Sequence, residues 1–294
     1  MNHPSADPTI SYSHIPLPDD TDVIFSQDIW IGENFSISLL SAIIDPVKFS
    51  ATAIVFIKRG NCSVEINLIE HDIKAPAIVV IRKGQILTPK VASPDFDASY
   101  MVMSSRMSET IFSFLHDNPL YAILNRNPVV RVDPNMTIHY SSLHYNLRSI
   151  MAEDNNPYRF ECAVHTILAF FYRFGHLPYA ALHAALPSAQ GRIADTFLKL
   201  VQENFKSERF LDFYASRLGI TTKHLSRTVK AQTGVSAVSW IERYVVLEAQ
   251  VMLKSSNLNI QQISDELNFK SQSFFGKYFK KLTGMSPKAF RNSR

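Results

Sequence analysis

Cysteine is scarce: the 294 residues include two, Cys62 and Cys162, far apart and without metal-ligand spacing. That excludes a disulfide-stapled scaffold and a thiolate metal cluster, and leaves two reduced structural thiols of a cytoplasmic protein as the expectation. Long hydrophobic runs are missing too. No stretch approaches the roughly 18–20 uninterrupted apolar residues that span a membrane. Met1 to Asp20 is rich in Pro and Asp, with neither a basic start nor an apolar run, so a loose tail is expected there rather than a signal peptide. What is present is a length sufficient for two ordinary domains, each with its own core, and the 46% hydrophobic residues expected of a globular protein.

Charge is divided unevenly along the chain. From Arg192 to Arg294 there are 17 Lys and Arg against 8 Asp and Glu, whereas the preceding segment holds 13 against 18. An acidic part followed by a basic part fits a C-terminal domain that faces a polyanion, and equally an ordinary solvated basic surface. Pattern has to decide between them.

Between Asn34 and Ser104 the pattern is β. Runs rich in Ile, Val, Phe and Thr (Ala53–Ile57, Cys62–Ile69, Ala77–Ile81) are separated by turn signals at Arg59-Gly60-Asn61, His71-Asp72, Lys83-Gly84 and Ser93-Pro94-Asp95. Ser63 to Leu68 alternates apolar and polar residues, so one face is wet. Many strands without intervening helices predict a small barrel or sandwich. Helical spacing follows, first over Met107–His116, then, after an irregular 118–131, from an Asp133-Pro134 start, and again over Pro157–Phe174. The last two form an antiparallel helical hairpin joined at Asn155-Asn156. Their apolar stripes suit packing on the barrel or against the same helices of a second subunit. Pro178, Pro187, Ser188 and Gly191 mark a linker. The predicted domains are therefore 1–33 as tail and first strand region, 34–175 as sensing and dimerising domain, 176–191 as linker and 192–294 as an all-α domain.

The all-α part repeats itself. Arg227-Thr-Val-Lys-Ala-Gln-Thr-Gly234 returns fifty residues later as Lys277-Tyr-Phe-Lys-Lys-Leu-Thr-Gly284, each followed by a serine, Ser236 and Ser286. Upstream, Leu211, Tyr214, Ala215, Leu218, Gly219 and Ile220 match Ile260, Ile263, Ser264, Leu267, Asn268 and Phe269. Each copy has the pattern of helix, tight turn, helix. A small residue allows close crossing, Gly219 or Asn268 supplies the left-handed turn, and Ile220 or Phe269 plugs the corner. Thr222 and Ser271 are the expected caps of the second helices. Those helices bury Leu225 and Val229, or Phe275 and Phe279. They leave Lys223, Ser226, Arg227 and Lys230 outward in one copy, and Gln272, Ser273, Lys277 and Lys280 in the other. A helix of this kind fits the major groove, where Arg or Lys donates to guanine and Gln pairs with adenine. Arg227 and Lys277 hold equivalent places and are the leading base-contact residues. A connecting helix over Val238–Lys254 would set the two reading helices roughly one duplex turn, ~34 Å, apart.

Residues Arg192–Arg294 resemble the DNA-binding domain of the AraC/XylS family of bacterial regulators. The resemblance is carried by Leu218-Gly219-Ile220-Thr221, Leu225-Ser226-Arg227, Thr233-Gly234, Trp240-Ile241, Ala249, Phe275 to Lys280, Thr283-Gly284-Met285 and Ser286-Pro287. It implies base-reading positions at Lys223, Ser226 and Arg227, and at Gln272, Ser273, Phe274 and Lys277. Two positions depart from the family pattern: Val245, where Arg is frequent, and Asn268, where Gly is common. By spacing, Lys58-Arg59-Gly60, the turn near Ile69–Asp72, Lys83-Gly84 and Ser93–Met103 are similar to the cupin-type sensing domain of such regulators. A metal-binding cupin needs several histidines, and between Asn34 and Ser104 there is only His71, placed in a turn. An organic ligand, or none, is expected in place of a metal or other cofactor.

The expected protein is thus α+β with two domains, a cupin-like β-barrel carrying a helical hairpin and an all-α double helix-turn-helix domain. It is a sequence-specific regulator of transcription and an activator, responsive to a small organic effector and homodimeric, with double-stranded DNA as partner. The family adds RNA polymerase as a second partner. Its competitor is a ligand-independent regulator whose barrel is a dimer scaffold. An enzyme fused to the module lacks the reactive cysteines or the strand-turn-helix nucleophile it would require.

Overall fold

The computed structural model describes residues 23–36, 45–115, 124, 127–134, 136–174 and 189–293. Its contacts divide the chain into two units, Met1–Ala185 and Leu186–Arg294. The expected tail and residues 176–188 of the expected linker lie outside the described residues, and Ala189 to Gly191 form the first turn of a helix.

The first unit contains strands β1 (Val23–Phe25), β2 (Ile29–Ser36), β3 (Val47–Lys48), β4 (Thr52–Arg59), β5 (Asn61–Ile66), β6 (Ile69–Lys74), β7 (Ala77–Ile81), β8 (Ile86–Ala92), β9 (Asp97–Met103) and β10 (Val129–Arg131). Its helices are α1 (Ser105–Leu115), α2 (Met136–Ala152) and α3 (Arg159–Phe174). The strands form two antiparallel sheets, ordered β1-β2-β9-β4-β7-β10 and β3-β8-β5-β6. Among the described residues, hydrogen bonds do not close them into one cylinder.

Successive side chains on a strand point to opposite faces, so a strand that is apolar at every position is one covered on both sides. The larger sheet is built that way. Ile54 and Phe56 of β4, Ile78 and Val80 of β7, and Met101 and Met103 of β9 pack with the helices. Their neighbours Ala53, Ile57, Val79, Ile81, Tyr100 and Val102 pack with Val64, Ile66, Ile73 and Leu87 of the smaller sheet. Tyr100 lies across Gly32, its cross-strand partner, so closely that a Cβ there would come within 2.3 Å of the ring. Any larger residue at position 32 would displace the tyrosine. The layers are helices, six-stranded sheet and four-stranded sheet. Leu143, Leu147 and Met151 of α2 and Val164, Ile167, Leu168 and Phe171 of α3 join the core of their own sheet. The apolar stripes of the predicted hairpin are therefore spent within the chain.

Several boundaries differ from the sequence expectation. The turn placed at His71-Asp72 lies earlier, at Asn67-Leu68, where both residues have positive φ (50° and 69°) and join β5 to β6 in a two-residue hairpin. His71 and Asp72 are thereby strand residues, paired with Val64 and Ser63. The physical reason is the side chain of Asn67, whose Oδ1 accepts from Ile86 N at 2.9 Å and fastens the turn to β8. Helix α1 begins two residues before Met107 because Ser104 Oγ accepts from the Met107 amide at 3.1 Å and caps it. Asp133-Pro134 precedes α2 without belonging to it, and α3 starts at Arg159 rather than Pro157. The irregular 118–131 segment ends in β10, which pairs with β7.

At one end of the helix-facing side the core turns polar. Buried His144 of α2 donates from Nδ1 to Glu33 Oε1 at 2.9 Å, and Lys58 Nζ donates to Glu33 Oε2 at 3.0 Å while lying 3.3 Å from Asp97. One turn earlier on α2, Tyr140 stacks on Phe56 with centroids 4.2 Å apart. The hydrogen bond from His144, with Lys58 assisting, outweighs burial and lowers the Glu33 carboxyl from 4.5 to about 2. A depressed carboxylate stabilises the native state above its unfolded value, and that contribution disappears as pH falls from about 4.5 towards about 2. Glu33→Gln should therefore reduce the acid-side slope of unfolding stability against pH in that window, by up to one proton's worth. An unchanged slope in urea titrations at stepped pH would show that the pair is not coupled to folding.

Candidate nucleic-acid interface

The second unit is helical: α4 (Ala189–Asn204), α5 (Leu211–Arg217), α6 (Thr222–Thr233), α7 (Ala237–Ser255), α8 (Ile260–Glu266), α9 (Gln272–Thr283) and α10 (Pro287–Asn292). The repeat seen in the sequence is a repeat of hydrogen bonds. After α5, Gly219 N donates to Ser216 O and Ile220 N to Ala215 O, both at 3.1 Å, and Gly219 has φ +65°. After α8, Asn268 N donates to Asp265 O at 2.8 Å and Phe269 N to Ser264 O at 2.9 Å, with Asn268 at φ +55°. This paired closure satisfies the last carbonyls of each helix and needs a left-handed residue at its centre. Gly219 meets that need without strain, and Asn is the next most tolerant residue.

The chain then re-enters a helix under a side-chain cap. Thr221 Oγ1 accepts from His224 N, and Ser271 Oγ from Phe274 N, each at 3.2 Å. The cap of α6 is thus Thr221, and Thr222, the expected cap, is the first helical residue. Burial of Leu225 and Val229 fixes that register. The turn of the second copy is one residue longer, from Asn268 to Ser271 against Gly219 to Thr221, so the matching offset shifts from 49 before the turn to 50 after it. Helices α6 and α9 also end alike. Thr233 Oγ1 and Thr283 Oγ1 donate to Val229 O and Phe279 O at 2.8 Å, and Gly234 and Gly284 close the helices at φ +73° and +79°. Ser236 and Ser286 then cap α7 and α10.

Packing holds each pair on the connector. Leu225, Val229, Phe275 and Phe279 are fully buried, as are Ala215 and Ser264 where the helices cross. Phe269 plugs the second corner, with ring centroids 5.1 Å from Phe275 and 5.2 Å from Tyr278. On the far faces Lys223, Arg227 and Lys230 are exposed, with Ser226 half-buried between them; Gln272, Ser273, Phe274, Lys277 and Lys280 are exposed on α9. Residues three and four apart share a helix face, so each set forms one stripe. Phe274 is 55% exposed, an apolar ring at the outer start of α9.

The register pairs Thr222 with Gln272, Lys223 with Ser273, His224 with Phe274, Arg227 with Lys277 and Lys230 with Lys280. It adds Thr222 and His224 to the first stripe and exposed Lys270 and Lys281 near the second, none of them among the expected base-reading positions. The offset of fifty was the signal that could have found the first two.

Residues 214–293 match a family model described as a helix-turn-helix domain. The transcriptional activator AarP of Providencia stuartii is 32% identical over 104 residues, which make up 35% of this chain and 77% of AarP. The chain belongs to the AraC/XylS family. It is also similar to the HTH-type transcriptional regulator YtdP of Bacillus subtilis, 23% identical over 190 residues that cover 52% of this chain. The chain spans about a quarter (25%) of YtdP's length. Among solved structures, ToxT of Vibrio cholerae is 15% identical, with 92% of this chain and 97% of ToxT covered and a TM-score of 0.43.

The two AraC/XylS corners make different demands on their central residues, and this can be measured. Gly219→Ala should cost about 1–2 kcal/mol, the penalty of a left-handed Cβ, although open space surrounds that position. Asn268→Gly should be neutral or stabilising. Trp240 fluorescence during urea unfolding, in a Trp30→Phe background, isolates this unit; equal effects at both corners would refute the assignment.

Proposed function

We propose that this protein is a transcription regulator that binds double-stranded DNA sequence-specifically, laying α6 and α9 in two adjacent major-groove segments. The observation that supports this best is the pair of matched helix-turn-helix corners, each presenting an exposed polar and basic stripe. Arg227 and Lys277 are the leading base contacts, flanked by Lys223, Ser226, Lys230, Gln272, Ser273, Phe274 and Lys280. Because Arg227 and Lys277 sit among different neighbours, the two segments differ in sequence, and the protein reads them as a directional pair rather than a palindrome.

The first unit is proposed to sense and to pair subunits, making the protein a ligand-responsive homodimeric activator that contacts RNA polymerase in the cytoplasm and performs no catalysis. A cleft of about 400 Å³ between Gln27-Asp28, Met107, Met151, Asp154 to Pro157, Arg159 and Phe160 gives room for a small organic effector. An effector acts only by favouring one arrangement of the protein over another. The competing reading, a ligand-independent scaffold, is favoured by the edge-to-face packing of Phe35 on Phe96 and Tyr100 between the sheets. Among the described residues no group of His, Cys, Asp or Glu is arranged to hold a metal ion, and no helix is long and apolar enough to cross a membrane.

Sites selected from random DNA should contain two unlike segments. Arg227→Ala and Lys277→Ala should each cost about 1–3 kcal/mol and relax preference in one segment only, a different one for each variant. Unchanged preference in both would remove the base-contact assignment. Affinity should fall steeply as salt rises, since phosphate contacts release counterions; a salt-insensitive interaction would contradict the DNA model. Thermal stabilisation of the protein by members of a metabolite library would favour the effector reading, and its complete absence the scaffold.

A further inference from the structure

We infer that Arg209 is a positioning residue that fixes the spacing at which the two reading helices engage DNA. This rests on the two-segment reading above. Arg209 precedes Phe210, the N-cap of α5, and so belongs to the first helix-turn-helix copy. Its guanidinium lies in the second copy. One terminal nitrogen, Nη2, donates to the carbonyl of Leu267, and the guanidinium carbon sits 3.7 Å from the centroid of the Phe269 ring.

Leu267 is the C-cap of α8, and Phe269 is the corner plug on which Tyr278 of α9 packs. Carbonyls at a helix C-terminus lack partners within the helix and carry the negative end of its dipole, which makes a cationic donor there favourable. Arginine suits the place because its planar group can stack on an aromatic face while donating in its own plane. Lysine would keep the charge and a donor but lose the stack. On the first copy's side, Tyr214 Oη of α5 donates to Glu208 O at 2.6 Å and holds the segment that carries Arg209.

The two copies are thus tied twice. One tie is α7, 19 residues long, against which α6, α8 and α9 pack. The other runs from α5 through Tyr214 and Arg209 to the corner between α8 and α9. A single strut leaves bending and rotation about its axis, and a second attachment away from that axis removes them. Rigidity of this kind raises the effective concentration of the second reading helix at a correctly spaced segment and lowers it at a displaced one.

The test uses the full chain and three duplexes: the selected site, the site with one or two base pairs inserted between segments, and the site with one segment scrambled. Arg209→Leu keeps an apolar body beside Phe269 but has no donor. It should lose about tenfold in affinity for the selected site, bind the scrambled site as the unaltered protein does, and discriminate less against the insertions. Arg209→Lys should fall between the two. An equal loss on selected and scrambled DNA would overturn the proposal, since that is the mark of a general folding or phosphate-contact role. So would unchanged affinity and spacing preference. Should Arg209→Leu fail to fold by Trp240 fluorescence, the same comparison on Arg209→Lys decides. If the unaltered protein already binds scrambled and selected DNA equally, the two-segment reading fails first, and that result is seen without any variant.

Discussion

A single backbone constraint, the left-handed residue between paired helices, governs the second unit. Gly219 and Asn268 turn the chain so that Ile220 and Phe269 point back into the corner, and their amides close the carbonyls of the helix just left. With the corner closed, the next helix has one direction open to it, and Thr221 or Ser271 caps it there. Burial of Leu225 and Val229, or of Phe275 and Phe279, then sets its rotation. The outward stripes follow from that rotation. Their basic charge is not required by packing: the helices would pack equally well with neutral polar faces.

The first unit relies on a different device. Its larger sheet is covered on both sides, by α1 to α3 on one and by the smaller sheet on the other. The cost of burying backbone is met by the strand ladders, and at one end a polar network through Glu33 joins His144 on α2 to Lys58 on β4. That network links helix layer to sheet by charge-assisted hydrogen bonds where hydrophobic contact gives out.

The two helix-turn-helix copies are alike in construction and unlike in detail. The second has a longer turn, an aromatic corner, and an exposed Phe274 where the first has the half-buried His224. Identical copies would present the same chemistry twice. These differ in their exposed stripes while sharing caps, closures and connector, so in the proposed two-segment mode their relative placement carries as much information as the residues on each stripe. Arg209 acts on that placement, and its partners, a backbone carbonyl and a phenylalanine ring, carry no signature that marks them as partners in advance.

Local patterns in the sequence were sufficient for the double helix-turn-helix, because each of its parts is specified within a few residues: a small residue at the crossing, a left-handed turn, a cap, an apolar pair. The exposed stripes could be named for the same reason, with Thr222 misassigned as cap because two adjacent threonines offer equal chemistry and only the register of Leu225 chooses between them. The acidic half was less determined. Alternation predicted strands but misplaced the β5–β6 turn, since Asn67 is held there by Ile86 on a strand far along the chain. Whether the stripes of α2 and α3 would meet a sheet or another subunit was undecidable from periodicity, which reports that a face is buried and not what covers it. Tertiary structure decided those points, and it alone brought His144 to Glu33 and Arg209 to Leu267, contacts between residues whose spacing in sequence carries no physical relation.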